Sequence, residues 1–194
     1  MGQPGLRGGG YFRMRRQDVG IAIWVGERPK ARDAKQEKRR DRKPRRMGMD
    51  ITWVTDRIGV GGGIWTAPNM ELVAREGITH IIDMQIEFDD TPLAVQHGIR
   101  VLWNPTDDDF EMKPVDLFER GVEFAQTAME ADASKLYIHC AAGVHRAPMM
   151  TLAILASMGW NLDHAMEMIE GKRPVADFAD VYVKSVERFL EERS

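Results

Sequence analysis

The sequence predicts an α/β fold, a central and largely parallel sheet flanked by helices, preceded by a disordered basic extension. Three observations carry that expectation. From Asp50 onward, short apolar runs alternate with segments of helical periodicity, the pattern of strands joined by helical crossovers. The strand-like runs are apolar almost throughout, as in sheets covered on both faces. Charge then divides the chain in two: residues 1–49 hold 15 Lys or Arg against 5 Asp or Glu, net +10, so the remainder nets −13 within a total of −3.

The extension comes first. It is rich in Gly and Arg, from GQPGLRGGG to ARDAKQEKRRDRKPRRMG, with IAIWV at residues 21–25 as its only apolar island. Such a composition cannot bury enough surface to offset chain entropy, so disorder is expected. Its charge suits contact with nucleic acid or another anionic surface, or a solvated tail, or a stretch upstream of a start at Met47 or Met49. Residues 50–194 are expected to form one domain.

Within that domain ITWVT (51–55) and RIGVGG (57–62) read as the opening strands. Asn69 is a candidate cap for a helix over MELVAREG, ending at Gly77. The strands ITHIIDM (78–84) and IRVLW (99–103) follow. Pro114 sits in the first turn of the helix VDLFERGVEFAQTAMEA, since a missing N–H does no harm there. KLYIHC (135–140) is the fifth strand, and RAPMMTLAILASM a buried helix. NLDHAMEMIEGK places Leu162, Ala165, Met166 and Ile169 on one helical face, and DFADVYVKSVERFLEE does the same with Phe178, Val181, Ser185 and Phe189.

The chain has one cysteine, so it forms no internal disulfide. No leader-like segment marks the first thirty residues, and a reducing, cytoplasmic setting is expected. The apolar run APMMTLAILASMGW (147–160) is too short to span a bilayer, so no membrane span is expected.

That cysteine lies in HCAAGVHRAP, residues 139–148, between the fifth strand and the buried helix. A strand, tight loop and helix in this order form an anion cradle. Backbone N–H groups of the loop and first helical turn lack internal partners and converge at the positive end of the helix dipole. Gly143 allows the backbone a left-handed turn, and Ala141 and Ala142 keep the floor clear. Arg146 offers a planar fork for two phosphate oxygens. The same amides and dipole stabilise a thiolate on Cys140, so nucleophile and phosphate receptor become one structure.

His139, Cys140, Gly143 and Arg146 match HCxxGxxR, and the loop resembles that of the cysteine-based protein tyrosine phosphatase superfamily. ITWVTDRIGVGG, EGITHIIDM, VDLFERGVEFA and IEGKRP extend the likeness to about residues 50–192, and the chain is similar there to dual-specificity phosphatase catalytic domains. The resemblance implies that Cys140 attacks phosphorus and that the loop Cys140, Ala141, Ala142, Gly143, Val144, His145 and Arg146 holds the phosphate. His139 would orient the loop. No metal and no cofactor are implied. The expected substrate is a phosphorylated protein, on tyrosine and on serine or threonine, or another phosphomonoester.

Such chemistry needs an acid for the leaving oxygen and then a base for water, and one carboxylate can serve both. The polar loop NPTDDDFEMKP (104–114) offers Asp107, Asp108 and Asp109. Alignment with the family selects Asp108, with Asp109 as the alternative. Charge crowding among the three would help one of them keep a proton.

Ala147 stands where the family usually carries Ser or Thr. A missing hydroxyl bond to the leaving thiolate is expected to slow the second step, about 10- to 100-fold if it contributes about 1.5–3 kcal/mol. Arg-Ala-Pro here also resembles the loop of plant glucan phosphatases, which makes phosphorylated polysaccharide an alternative substrate and a phosphate-binding pseudophosphatase a further one. Positions 141 and 144 lack the lysines that phosphoinositide phosphatases tend to carry. GVGGGIW (59–65) lacks the spacing of a nucleotide loop, and His80, His97 and His164 lack ligand spacing.

Overall fold

The computed structural model describes residues 48–193. The expectations for residues 1–47, disorder and contact with nucleic acid or anionic surfaces, lie outside the described residues.

Five strands form one sheet in the order β1-β2-β5-β3-β4: β1 Ile51–Trp53, β2 Ile58–Gly61, β3 His80–Gln85, β4 Arg100–Thr106 and β5 Leu136–His139. β1 runs antiparallel to β2, and the other three pairings are parallel. Among the described residues the α-helices are α1 Ala67–Arg75, α2 Thr91–Ala94, α3 Val115–Met129, α4 Arg146–Ser157, α5 Leu162–Lys172 and α6 Asp180–Glu192. The predicted fold class is the observed one.

Alternation along the strands divides the core into two layers. Ile58 and Val60 of β2, Ile82 and Met84 of β3, and Leu136 and Ile138 of β5 face one side, where α3 to α6 supply Leu117, Phe118, Leu152, Ile169, Val186 and Phe189. Ile81 and Tyr137 face the other side, under Met70, Val73 and Ala94. Each such apolar side chain contributes about 1.5–3 kcal/mol when fully buried. α4 is apolar all round because it lies within the first layer, with residues 146–155 all buried.

Two helix starts differ most from those the sequence predicts, and Pro114 caps α3 from just outside its first turn. α1 starts a turn earlier than Asn69: Thr66 is the cap, its extended backbone leaving Oγ1 to accept the Asn69 N–H at 3.3 Å, and Pro68 is accommodated in the first turn. Asn69 instead donates through Nδ2 to Ile64 O at 2.8 Å. α6 starts at Asp180, so Phe178 precedes it, and its buried face is Tyr182, Ser185, Val186 and Phe189. Val181 is only half-buried. Tyr182, absent from the predicted face, turns out to matter for the site.

The carboxyl ends of the parallel strands gather the loops. Gly61 at the end of β2 permits a close approach, since a Cβ there would lie 1.8 Å from Asp50 O and 2.7 Å from the Tyr137 hydroxyl. That hydroxyl lies 2.6 Å from Gly62 O and 3.1 Å from Asp50 O.

Candidate active site

β5 ends at His139, and Cys140 follows, buried with 1% of its surface exposed. Residues 141–145 form the loop, and α4 begins at Arg146. Gly143 has φ of 64°, the left-handed region, and a Cβ there would lie 2.5 Å from Gly61 C and O and 2.4 Å from an Arg173 nitrogen. Glycine is therefore required by both conformation and space. Its N–H donates to Cys140 Sγ at 3.2 Å. Among the described residues, the N–H groups of Ala141, Ala142, Val144 and His145 find no protein acceptor. They surround the start of α4, where the helix dipole is positive.

Arg146 is buried to 3% exposure, at the helix start where the sequence places it. Nη1 donates to Glu87 Oε2 at 2.9 Å and Thr106 O at 3.1 Å, and Nη2 to Glu87 Oε1 at 2.9 Å, a two-pronged grip that fixes the plane of the guanidinium. Burial works to lower its pKa, but the Glu87 bond and the nearby Cys140 prevail and raise it. The Arg146 bond in turn holds Glu87 below the usual carboxylate range. Nε is buried without a hydrogen-bond acceptor, 3.9 Å from Asp108 Oδ2.

Arg173 holds the loop from behind. Nε donates to Gly143 O at 2.7 Å and Nη2 to Ala142 O at 3.1 Å, while Asp50 takes two bonds at 2.9 and 2.7 Å. Turned towards Arg173, these carbonyls leave the loop's N–H groups free for the opposite side.

The acidic loop separates the three aspartates. Asp107 is exposed, and its Oδ1 accepts the Asp108 N–H at 2.8 Å. Asp109 pairs with the buried Lys113, whose hydrogen bond holds its carboxyl below the usual range. That ion pair runs against the expectation that Asp109 would help a neighbour keep a proton. Asp108 alone of the three contacts the cysteine loop: Oδ2 lies 3.0 Å from His145 Nδ1, and Oδ1 accepts from the Tyr182 hydroxyl at 3.0 Å. Phe110, at φ 57°, stacks on Tyr182 and meets the His145 ring edge-on.

His139 is fully buried. Its Nε2 lies 3.1 Å from Asp90 Oδ2 and its Nδ1 3.8 Å from Asp83 Oδ1, with Tyr137 stacked on the ring. Among the described residues these three have ligand-like spacing, with their atoms within 4.8 Å. Asp83 already accepts the N–H groups of Gln85 (2.9 Å) and Asp90 (3.2 Å), whereas both His139 nitrogens and both Asp90 carboxylate oxygens are buried without a hydrogen-bond partner. Burial pushes the Asp83 carboxyl up to about 6, partly opposed by His139.

With this geometry in place, comparison with known proteins is informative. Residues 64–189, more than half of the chain, match the family described as "Dual specificity phosphatase, catalytic domain". The chain belongs to the dual-specificity phosphatase family. That places it among the cysteine-based protein tyrosine phosphatases. Curated relatives include protein phosphatase Slingshot homolog 3 of Rattus norvegicus, 27% identical over 117 residues, 59% of this chain and 17% of the relative. Slingshot homolog 2 of Homo sapiens is 26% identical over 133 residues, 66% of this chain and 9% of the relative. This dual-specificity phosphatase thus spans a small part of the length of the relatives it matches.

Solved structures show the same fold. PTPMT1 in complex with PI(5)P superposes with a TM-score of 0.66 at 20% identity, covering 74% of this chain and 96% of that one. Human DUSP28 gives 0.62 at 20% identity, covering 74% and 95%. No helix among the described residues of this dual-specificity phosphatase is long and apolar enough to cross a membrane.

The structure brings Cys140, Gly143, His145, Arg146 and Asp108 together at the mouth of one loop, and places His139 beside Asp83 and Asp90. Sequence reasoning missed Glu87, Asp177, Tyr182 and the grip of Arg173. Only Arg173 left a trace, within the IEGKRP segment that carries the family likeness.

Proposed function

We propose that residues 50–194 form a catalytic domain that hydrolyses phosphomonoesters through a phosphocysteine, with phosphotyrosine and phosphoserine or phosphothreonine proteins as substrates. One observation carries this reading: around Cys140 Sγ, backbone N–H groups and the buried Arg146 Nε stand without protein acceptors. A tetrahedral dianion satisfies such a set better than any neutral ligand. Cys140 attacks phosphorus as the bond to the leaving oxygen breaks, Arg146 and the loop amides hold the equatorial oxygens, and Asp108 donates the proton. Water then attacks phosphorus, Asp108 takes its proton, and the thiolate departs.

The test is hydrolysis of a small aryl phosphate in EDTA by the wild type and by Cys140→Ser. Activity that survives EDTA and vanishes in the variant supports the reading. Activity retained without the thiol refutes it.

A second reading rests on Ala147, which is buried and brings no hydroxyl to the thiolate, so that Gly143 N–H is the donor to Sγ. In that case the domain captures a phosphorylated partner and turns it over slowly, releasing about one equivalent and stopping. For substrate class, PI(5)P binding belongs to the solved neighbour; here positions 141 and 144 are Ala and Val, and His145 is the only further loop side chain able to carry charge. Phosphopeptides therefore take precedence over phosphoinositides, with phosphoglucan kept as the alternative that Arg146-Ala147-Pro148 suggests. A cytoplasmic setting suits these substrates and the single thiol.

A further inference from the structure

We propose that His145 is a positioning residue for the acid: together with Asp177 it orients Asp108 and keeps a transferable proton on the His145–Asp108 pair. This rests on the reading of Asp108 as the general acid and deepens it. The starting point is that both ring nitrogens face carboxylate oxygens, Nδ1 at 3.0 Å from Asp108 Oδ2 and Nε2 at 3.2 Å from Asp177 Oδ2.

A neutral imidazole has one N–H and one lone pair. Between two ionised carboxylates it leaves one contact without a proton, so the arrangement calls for one more. Either the ring is an imidazolium, or Nε2–H donates to Asp177 while Nδ1 accepts from a protonated Asp108. These forms differ only in which side of a 3.0 Å contact holds the proton, and in both the pair carries one.

The neighbours favour this use. The Tyr182 hydroxyl occupies Asp108 Oδ1 as a donor, and burial pushes its own pKa up to about 12, so it stays protonated across the working range. The exchangeable proton therefore belongs at Oδ2. The backbone of Asp177 is tied to the loop by its N–H to Val144 O at 2.8 Å, and Phe110 packs edge-on against the imidazole at 5.1 Å. Side-chain exposure is 67% at Asp177, 18% at His145 between the two carboxylates and 31% at Asp108, so the relay meets solvent most at Asp177. The other charged groups nearby are Arg146, 3.9 Å from Asp108 Oδ2, and Lys113, which sits over the Tyr182 ring and pairs with Asp109. Arg146 disfavours a proton on the pair, and the negative Asp177 favours one.

The balance closes over one turnover. As the S–P bond forms and the P–O bond breaks, the proton of the pair goes to the leaving oxygen. In hydrolysis the attacking water gives one proton back to the pair, its oxygen bonds phosphorus, and the S–P electrons return to Cys140.

The experiment uses the full chain and a series of aryl phosphates from dinitrophenyl phosphate, whose leaving group needs no proton, to phenyl phosphate, whose leaving group does. His145→Asn is expected to lower kcat/KM, which reports the step that expels the leaving group, roughly 10-fold for phenyl phosphate and less than about 2-fold for dinitrophenyl phosphate. Added to Asp108→Asn, it should cause no further loss. Asp177→Asn, at an exposed position that spares the fold, should move the alkaline limb of kcat/KM for phenyl phosphate to lower pH by about half a unit or more, because the pair loses the negative charge that helps hold its proton. Equal losses on both substrates, additive losses in the double variant, or an unmoved limb in Asp177→Asn would each overturn the proposal. If Cys140→Ser keeps full activity, the phosphocysteine reading fails first, independently of how His145 behaves.

Discussion

Asp108, Asp107 and Asp109 are three identical side chains in a row, and their surroundings give them different work. The carboxylate of Asp109 is committed to Lys113, and Asp107 folds back onto the backbone of its neighbour. Asp108→Asn is therefore expected to lower kcat about 100-fold on phenyl phosphate, while Asp107→Asn and Asp109→Asn change it less than about 3-fold, as steady-state kinetics would show. Glu87 makes a comparable prediction. It clamps the plane of Arg146 through both oxygens, so Glu87→Gln, which can accept only one of those bonds, should weaken inhibition by inorganic phosphate about 10-fold or more. The role of Glu87 was not legible in the sequence, and Asp108 was picked out only by likeness to the family, not by anything in the run of three aspartates itself. Both depend on partners that the fold brings from elsewhere, Glu87 from 59 residues away and Tyr182 from 74.

At the level of elements, most of the fold was legible. The five apolar runs became strands with ends shifted by no more than three residues, because an apolar run bounded by turns has few other structures open to it. The start of α1 was misplaced because Asn69 and Thr66 are both good caps, and which of them caps depends on how the chain leaves Ile64. Thr66→Ala should destabilise the domain by about 1 kcal/mol in urea unfolding without changing activity. The loop between β5 and α4 tolerates far less. Gly143→Ala would place a methyl against the backbone of Gly61 in a left-handed turn, so it should abolish turnover and lower stability by about 1–3 kcal/mol. Inorganic phosphate should no longer protect that variant against heat.

For the molecule as a whole, two carboxyls set opposite slopes of stability with pH. Asp50 is held low, first by its Arg173 bond, so its contribution is present above its unfolded value and is lost as acid protonates it. Asp83 is pushed up to about 6 from 3.8, so the folded state binds its proton more tightly. Its favourable contribution is complete below the unfolded value and disappears as pH rises through about 6, a change on the order of 3 kcal/mol. Urea unfolding of Asp83→Asn should therefore show a smaller fall in stability between pH 4 and pH 7 than the wild type. Cys140, buried and bonded to Gly143, also has a consequence for chemistry with peroxide. It is the sole thiol in these 194 residues. A sulfenic acid formed there finds no second cysteine within these residues to shelter it as a disulfide, so recovery depends on a thiol from outside them, and oxidation beyond that stage is irreversible. Survival under oxidative stress is then set by the supply of external reductant.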